Sequence, residues 1–534
     1  MSFYFSKSKF VSAYTRCNKY AWLDKYKSEE KTKPDEFAEY LFKNGHKVGD
    51  LAKEYFNIDA EATVLKENGS PDSATMIEET KKLLNEGAKV IAEASFSFHG
   101  YFCSVDFLDK NDDGSYNIYE VKSSKIAPKK KTGYYKGVKE KYVIDAAYQQ
   151  YVLENFGYKI DKVYVVLLAE NYVRGKELNL KEYFVSCEVT ERTILLQGEV
   201  KSKLAEIGVT LSAGNEPVTN FTENCHGCEY FAYCAKSKGV PTPSPFDLYD
   251  IDFKDKCDLH NNGISFFDVE AIEKRLELNK ARKRLGKAAK KHIEYYNCPN
   301  DTYIDKAQIK KFLDALRFPL YSLDFETYQA TVPEHEGMST GEVVPFQYSL
   351  HIMKIPDGDY REGSLDLEER HFIDISGGDP RRAIAESLVR DIPFGACVIA
   401  CNEKTERNII KRLAELFPDL EKHLLSFQYK DDKGKDVYKD IQPLFKNGYY
   451  YSPKMGNSFS LKSILPALYP DDSKMNYHNL EGSVKNGTQA MAAMPNIKEM
   501  TSEQVEQLRK DLIEYCALDT LAVVKIIKKL YEIL

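Results

Sequence analysis

A single tryptophan stands in 534 residues, against 37 tyrosines and 28 phenylalanines. Aromatic surface is therefore supplied by rings that stack on bases as readily as they fill cores. A membrane-spanning helix needs roughly 20 consecutive apolar residues. Nothing here approaches that: the best apolar run, Val163 to Leu168, is strand-sized. The first residues, Met-Ser-Phe-Tyr-Phe-Ser-Lys, lack the basic, apolar and small-residue regions of a secretory signal. The expectation is a cytoplasmic chain with no membrane partner. Positive charge is not in excess either; the net charge is −7. Nucleic acid can then be held only by local basic patches. Internal repeats and long low-complexity tracts are missing, which excludes solenoids and extended disordered segments.

What is present is ordinary globular material, 43% hydrophobic and 29% charged, enough for real cores. At roughly 100–200 residues per domain, the length allows two to four domains. Three blocks are visible: residues 1–240, 241–315 and 316–534. The second opens on a breaker stretch, Val240-Pro241-Thr242-Pro243-Ser244-Pro245, and turns helical and basic.

Eleven cysteines in a reducing compartment argue against a disulfide framework. Cys225, Cys228 and Cys234 form C-x2-C-x5-C, with Cys17 far upstream. Four thiolates suit either zinc or an iron–sulfur cluster, and His226 is an alternative to Cys17. Cysteines 103, 187, 257, 298, 397, 401 and 516 read as core thiols.

Phe96 to Phe107 and Tyr116 to Lys122 read as strands flanking the turn Asn111-Asp112-Asp113-Gly114-Ser115. Alternation puts Glu120 and Lys122 on one face, and Asp106 can meet them across the hairpin. Two carboxylates can hold Mg²⁺ or Mn²⁺, which activates water for phosphodiester hydrolysis; the lysine offsets developing charge. His46 reads as beginning a helical segment upstream. Ala146 to Gly157 reads as a helix carrying Tyr148, Gln149, Gln150 and Tyr151. Between strand and helix, Lys125, Lys129, Lys130, Lys131, Lys136, Lys139 and Lys141 interleave with Tyr134 and Tyr135, a composition suited to single strands.

Cys17, His46, Asp106, Glu120-Val121-Lys122, the Gln/Tyr helix and C-x2-C-x5-C, in that order, resemble the PD-(D/E)XK nucleases that carry an iron–sulfur cluster. These include the CRISPR-associated adaptation exonuclease and RecB/AddB-type nuclease domains. The resemblance implies a restriction-endonuclease-like fold and a [4Fe–4S] cluster on Cys17, Cys225, Cys228 and Cys234. It also implies metal ligation by His46, Asp106, Glu120 and the Val121 carbonyl, with Lys122 catalytic. Relatives carry Gln-x3-Tyr on the helix; here Tyr151 follows Gln150 directly, so Gln149 and Gln150 both remain candidates for substrate contact.

Phe266 to Glu294 reads as one helix whose second half is rich in Lys and Arg. Arg282, Lys283 and Arg284 are its candidate nucleic-acid contacts.

In the last block, Phe318 to Thr327 reads as a buried strand ending in Asp324-x-Glu326, both carboxylates on one face. Pro345 to Met353 and Ala396 to Ala400 read as further strands. Asn402 follows, then a helix carrying Glu406; Asp440 reads as opening another helical segment. In the helix from Ser502, Tyr515 and Asp519 are i, i+4 and share a face. Asp519 can complete a carboxylate nest, and the Tyr515 hydroxyl can orient water.

This set resembles the DEDD (DnaQ-like) exonucleases of the tyrosine subtype, which implies an RNase H-like fold and two-metal 3′–5′ cleavage. The usual middle motif, Asn-x3-Asp, is here Asn402-Glu403-Lys404-Thr405-Glu406, and Asp440 rivals Glu406 as the middle ligand. The whole arrangement resembles a bacterial fusion of such a nuclease with a DEDD domain of unknown function. The combined expectation is an α/β protein, mixed with α+β, that hydrolyses nucleic acid, DNA before RNA, at two sites. DNA repair, CRISPR adaptation and phage defence all accommodate it. Two alternatives stand beside it. In one, a single domain is catalytic and the other binds nucleic acid. In the other, the cluster makes the chain a redox-responsive scaffold.

Overall fold

The computed structural model describes residues 5–128, 137–279, 284–298, 300–354, 366–429, 434, 436–480 and 482–534. About 49% of the chain is helix and 20% strand, in several mixed sheets, which makes the fold α/β. Two compact units result: residues 1–240 with 330–342, and residues 241–329 with 343–534. Lys130, Lys131 and Arg282 lie outside the described residues.

The first unit is built on β1 (Phe5–Ser6), β2 (Ala60–Glu61), β3 (Val90–Phe98), β4 (Tyr101–Lys110), β5 (Tyr116–Ile126), β6 (Ile160–Ala169) and β7 (Phe184–Glu188). Their order is β2-β3-β4-β5-β6-β7, with β1 pairing parallel to β4. The single strand expected over Phe96 to Phe107 is in fact a hairpin. The chain reverses at His99-Gly100, where both φ values are positive (48° and 85°). That is the backbone of a tight two-residue turn, hidden in sequence by the aromatics around it. β4 and β5 are antiparallel across the expected 111–115 turn, and β5 runs parallel to β6.

The parallel crossover is the helix Glu140–Phe156, longer than expected at its start and stopped by Gly157 at φ 110°. It buries Tyr148, whose hydroxyl donates to the carbonyls of Phe5 (2.8 Å) and Phe102 (3.2 Å). Phe10 stacks on the same ring at 4.7 Å. Burying side chains of this size contributes about 1.5–3 kcal/mol each. The N-terminal helix Lys7–Thr15 is thereby pinned against the central strands.

The second unit contains β8 (Tyr303–Ile304), β9 (Leu320–Ala330), β10 (Glu342–Lys354), β11 (Asp366–Ile373), β12 (Cys397–Ala400), β13 (Tyr438–Asp440) and β14 (Tyr450–Tyr451). Five form a sheet in the order β11-β10-β9-β12-β13, with β9, β12 and β13 parallel; β8 and β14 pair separately. The long helix Ser502–Ile533 begins at a capping box of Thr501 and Gln504. Thr520 locks it to the sheet. Its hydroxyl meets Ser349 Oγ (2.9 Å) and His351 Nδ1 (2.8 Å), while its carbonyl accepts from Ser322 Oγ (2.9 Å).

The basic helix expected over Phe266 to Glu294 is two helices, Val269–Leu278 and Lys287–Tyr295. Leu285, just before the second helix, enters a small core with Phe266, Ile272 and Leu276, and its N–H donates to Glu273 (2.8 Å). Asp440 opens no helix; it closes β13.

Candidate active sites

Glu120 is 1% exposed and lies at the centre of the first unit's site. Strand alternation does put Lys122 beside it, and the two side chains are hydrogen-bonded. Lys7 donates to both Glu120 oxygens, at 3.1 and 2.9 Å. Gln149 Nε2 donates to Oε2 at 2.7 Å. Asp145, one helical turn before Gln149, accepts from Lys122 at 2.8 Å. Asp106 reaches across from β4 and accepts the Val121 N–H at 2.7 Å.

Burial and the neighbouring Glu120 charge push Asp106 up to about 7. Burial acts on Glu120 in the same direction, but Lys122 and Lys7 outweigh it and hold Glu120 well below the usual carboxylate range. A cavity of about 610 Å³ opens onto Asp106, Val121 and Lys122, with His46, Glu93 and Phe42 on its walls. His46 is exposed in the middle of the helix Glu36–Phe56 rather than at a helix start. Of the two glutamines, Gln149 faces the site, whereas Gln150 bonds to Glu154 at 2.8 Å. Tyr151 packs against the core.

The second site is a nest of carboxylates. Asp324 and Glu326 come from β9, Glu406 from the helix Lys404–Leu416 and Asp519 from the last helix. Ligand atoms of Asp324, Glu326 and Cys516 lie within 4.8 Å of one another. Burial raises Asp324 well above its ordinary value, and the charges of Asp519, Glu326 and Glu406 raise it further. Glu326 is raised by burial and by Asp519. Burial pushes Glu406 up to about 8, with Asp440 and Asp519 adding to it. Among the described residues, no lysine or arginine comes within 4.0 Å of any of the four; the Lys462 charge acts from further off and pulls Glu326 and Asp519 down only in part. Such a cluster is expensive in a low-dielectric setting unless a cation or protons neutralise it.

Two tyrosines meet Asp519. Tyr477 donates to Oδ1 at 2.6 Å, and Tyr515 is hydrogen-bonded to the same carboxylate. Asp440 and Glu406 part company here. Asp440 Oδ1 is occupied by the backbone N–H groups of Asn402 and Gln442, both at 2.9 Å. Glu406 Oε2 is buried and has no hydrogen-bond partner. Asn402 is exposed, in the left-handed region at φ 68°.

The cysteines converge across more than 200 residues. Arg16 donates to the carbonyls of Asn224 (2.6 Å), His226 (2.7 Å) and Gly227 (3.0 Å), which sets Cys17 beside the triplet. Burial raises Cys17, Cys228 and Cys234, and each is also raised by another thiol of the group. No three of the four Sγ atoms lie within 4.8 Å of one another.

Arg284 is exposed. Its basic neighbours are engaged: Arg275 with Asp258 (2.6 Å), Lys290 with Glu273 (2.9 Å) and Lys291 with Glu294 (2.8 Å). Sequence reasoning missed Lys7, Asp145 and Tyr477; Cys516, read as a core thiol, is indeed fully buried, and its Sγ also lies beside Asp324. Asp145 carried a usable signal, being i−4 to Gln149 on one helix face. Lys7 and Tyr477 carried none.

Residues 321–460 match the family model described as a domain of unknown function (DUF2779). That span holds Asp324, Glu326, Glu406 and Asp440 but stops short of Tyr515 and Asp519. Among solved structures, that of SSO0001 aligns at 12% identity over 44% of this chain and 87% of its own, with a TM-score of 0.21, too low to carry an argument. No curated protein matches the chain.

Proposed function

We propose that the protein is a metal-dependent nuclease with two sites, of which the second is a 3′–5′ exonuclease. The observation that carries this reading is the nest of Asp324, Glu326, Glu406 and Asp519, the last three buried, with buried Tyr515 hydrogen-bonded to Asp519. Asp324, Glu326 and Asp519 would hold Mg²⁺ or Mn²⁺, and the unpartnered Oε2 makes Glu406 the better middle ligand than Asp440. Bound there, divalent ions polarise the scissile phosphate and lower the pKa of an attacking water. Tyr515 orients that water, and Tyr477 holds Asp519 in place. The strand order β11-β10-β9-β12-β13, with parallel β9, β12 and β13, supports an RNase H-like reading of this unit.

In the first unit, Asp106 and Glu120 fit a divalent cation: half-buried Asp106 lines an open cavity with His46 on its wall, and Glu120 is buried next to it. Lys122 supplies positive charge beside the scissile phosphate. The β3-β4-β5, helix, β6 arrangement supports a PD-(D/E)XK reading, and the convergence of Cys17 on the triplet supports a [4Fe–4S] cluster, with zinc as the alternative, as the clamp joining Cys17 to residues 225–234. DNA is the favoured substrate, in repair, adaptation or defence.

A second reading makes the first unit a nucleic-acid-binding module. It is favoured by one fact: Lys7, Lys122 and Gln149 together engage both Glu120 oxygens. Cleavage of 5′-labelled single strands with Mn²⁺ tests the main proposal. A stepwise ladder from the 3′ end, absent in Asp324→Asn, supports it; an undiminished ladder in that variant refutes it.

A further inference from the structure

The first unit's site has a cation that its sequence motif does not contain. Lys7 arrives from the N-terminus, more than 100 residues before Glu120. Its ammonium lies 2.9 Å from Glu120, 3.7 Å from Asp106 and 3.9 Å from Asp145. Asp106 lines the cavity, and Glu120 and Asp145 are buried beside it. The placement is built rather than accidental. Ser6 pairs with Phe102 in β4, the Tyr148 hydroxyl grips the Phe5 carbonyl, and Phe10 stacks on Tyr148 one turn further on. The lysine side chain is 17% exposed, so solvent screens it little.

Glu120 has two oxygens and three donors. Lys122 and Lys7 share Oε1, while Lys7 and Gln149 share Oε2. For Glu120 to ligate a divalent ion, one donor must withdraw. Lys122 also holds Asp145, and Gln149 is fully buried on a packed helix. Lys7 alone touches both oxygens and spans the gap from Glu120 to Asp106, where a shared cation belongs.

We infer that Lys7 is a positioning residue for Glu120 that competes with the catalytic divalent ion: its ammonium neutralises the Asp106–Glu120 pair and is displaced when metal binds. The inference rests on the reading of Asp106 and Glu120 as a metal pair. It makes metal affinity at this site deliberately modest and ties it to the seating of the N-terminal segment.

The test is Mn²⁺ binding followed by electron paramagnetic resonance on the full chain. Asp324→Asn and Asp519→Asn are present throughout to silence the second unit. Removing a unit charge at this distance from the ion should tighten binding by Lys7→Met about tenfold or more. Lys7→Arg, which keeps the charge, should stay near the parent. Metal-free Lys7→Met should melt below the parent, and Mn²⁺ should raise its melting temperature by more. Equal or weaker Mn²⁺ binding by a folded Lys7→Met protein overturns the role of Lys7 while leaving the metal pair standing. Mn²⁺ binding that is undetectable in parent and variant alike, or indifferent to Asp106→Asn, overturns the metal pair and Lys7's role with it.

Discussion

Glu406 offers the sharpest link between the second site's electrostatics and a measurable stability. Burial lifts its carboxyl from an ordinary 4.5 to about 8. The sign follows from proton binding. Between these values the folded chain keeps a proton that the unfolded chain has released, so stability is fully present below 4.5 and drains away as pH rises through about 8. At about 1.36 kcal/mol per pH unit, the loss is on the order of 3 kcal/mol by pH 7. Glu406→Gln removes the titrating group and leaves a neutral side chain of the same shape. In EDTA at neutral pH, the variant's second unit should melt roughly 5–10 °C above wild type. Below the ordinary carboxylate range the two should converge. Mn²⁺ should then raise the melting temperature of wild type more than that of the variant, because the ion does for the four carboxylates what the proton did. Scanning fluorimetry across pH, with and without Mn²⁺, reads all of this. Parallel pH profiles for the two metal-free proteins, or a variant that melts lower throughout, would refute the reasoning.

Three further outcomes are expected. Thr520→Val strands Ser349 and His351 in the buried joint between the last helix and the sheet, which should cost about 1–3 kcal/mol in urea unfolding; an unchanged midpoint contradicts the joint. Gln149→Ala removes a hydrogen bond to a charged carboxylate and should lower first-unit cleavage roughly 10- to 100-fold, whereas Gln150→Ala should leave it near wild type; equal effects would contradict the assignment. Anaerobically purified protein should be brown and carry iron, and both should be lost in Cys17→Ser and Cys225→Ser; a colourless protein with stoichiometric zinc contradicts the cluster.

What the sequence disclosed follows its local geometry. Asp324 and Glu326 share a face because strands alternate, and Glu120 and Lys122 do so for the same reason. Tyr515 and Asp519 meet Asp324 from one side of a helix because they are a turn apart. These relations need no knowledge of the fold. Lys7, Tyr477 and Cys516 act through contacts across 113, 42 and 192 residues, and no periodicity announces such partners. The hairpin at His99-Gly100 was concealed because apolar residues on both sides continue a strand-like pattern through the turn. Asp440 was misplaced because a single acid before Ile441 and Pro443 imitates a helix N-terminus; its carboxylate instead fixes the Asn402 loop. The long basic helix is in fact two helices, with Leu285, ahead of the second, packed into a small core.

The proposed function turns on two independent hydrolytic sites in one chain. Its most direct test is end-labelled DNA and RNA cleavage by wild type, Lys122→Ala, Asp324→Ala and the double variant, each with Mg²⁺ or Mn²⁺. Each single variant should lose a distinct part of the product pattern, and the double variant should be inactive. Full wild-type cleavage in the double variant would contradict it.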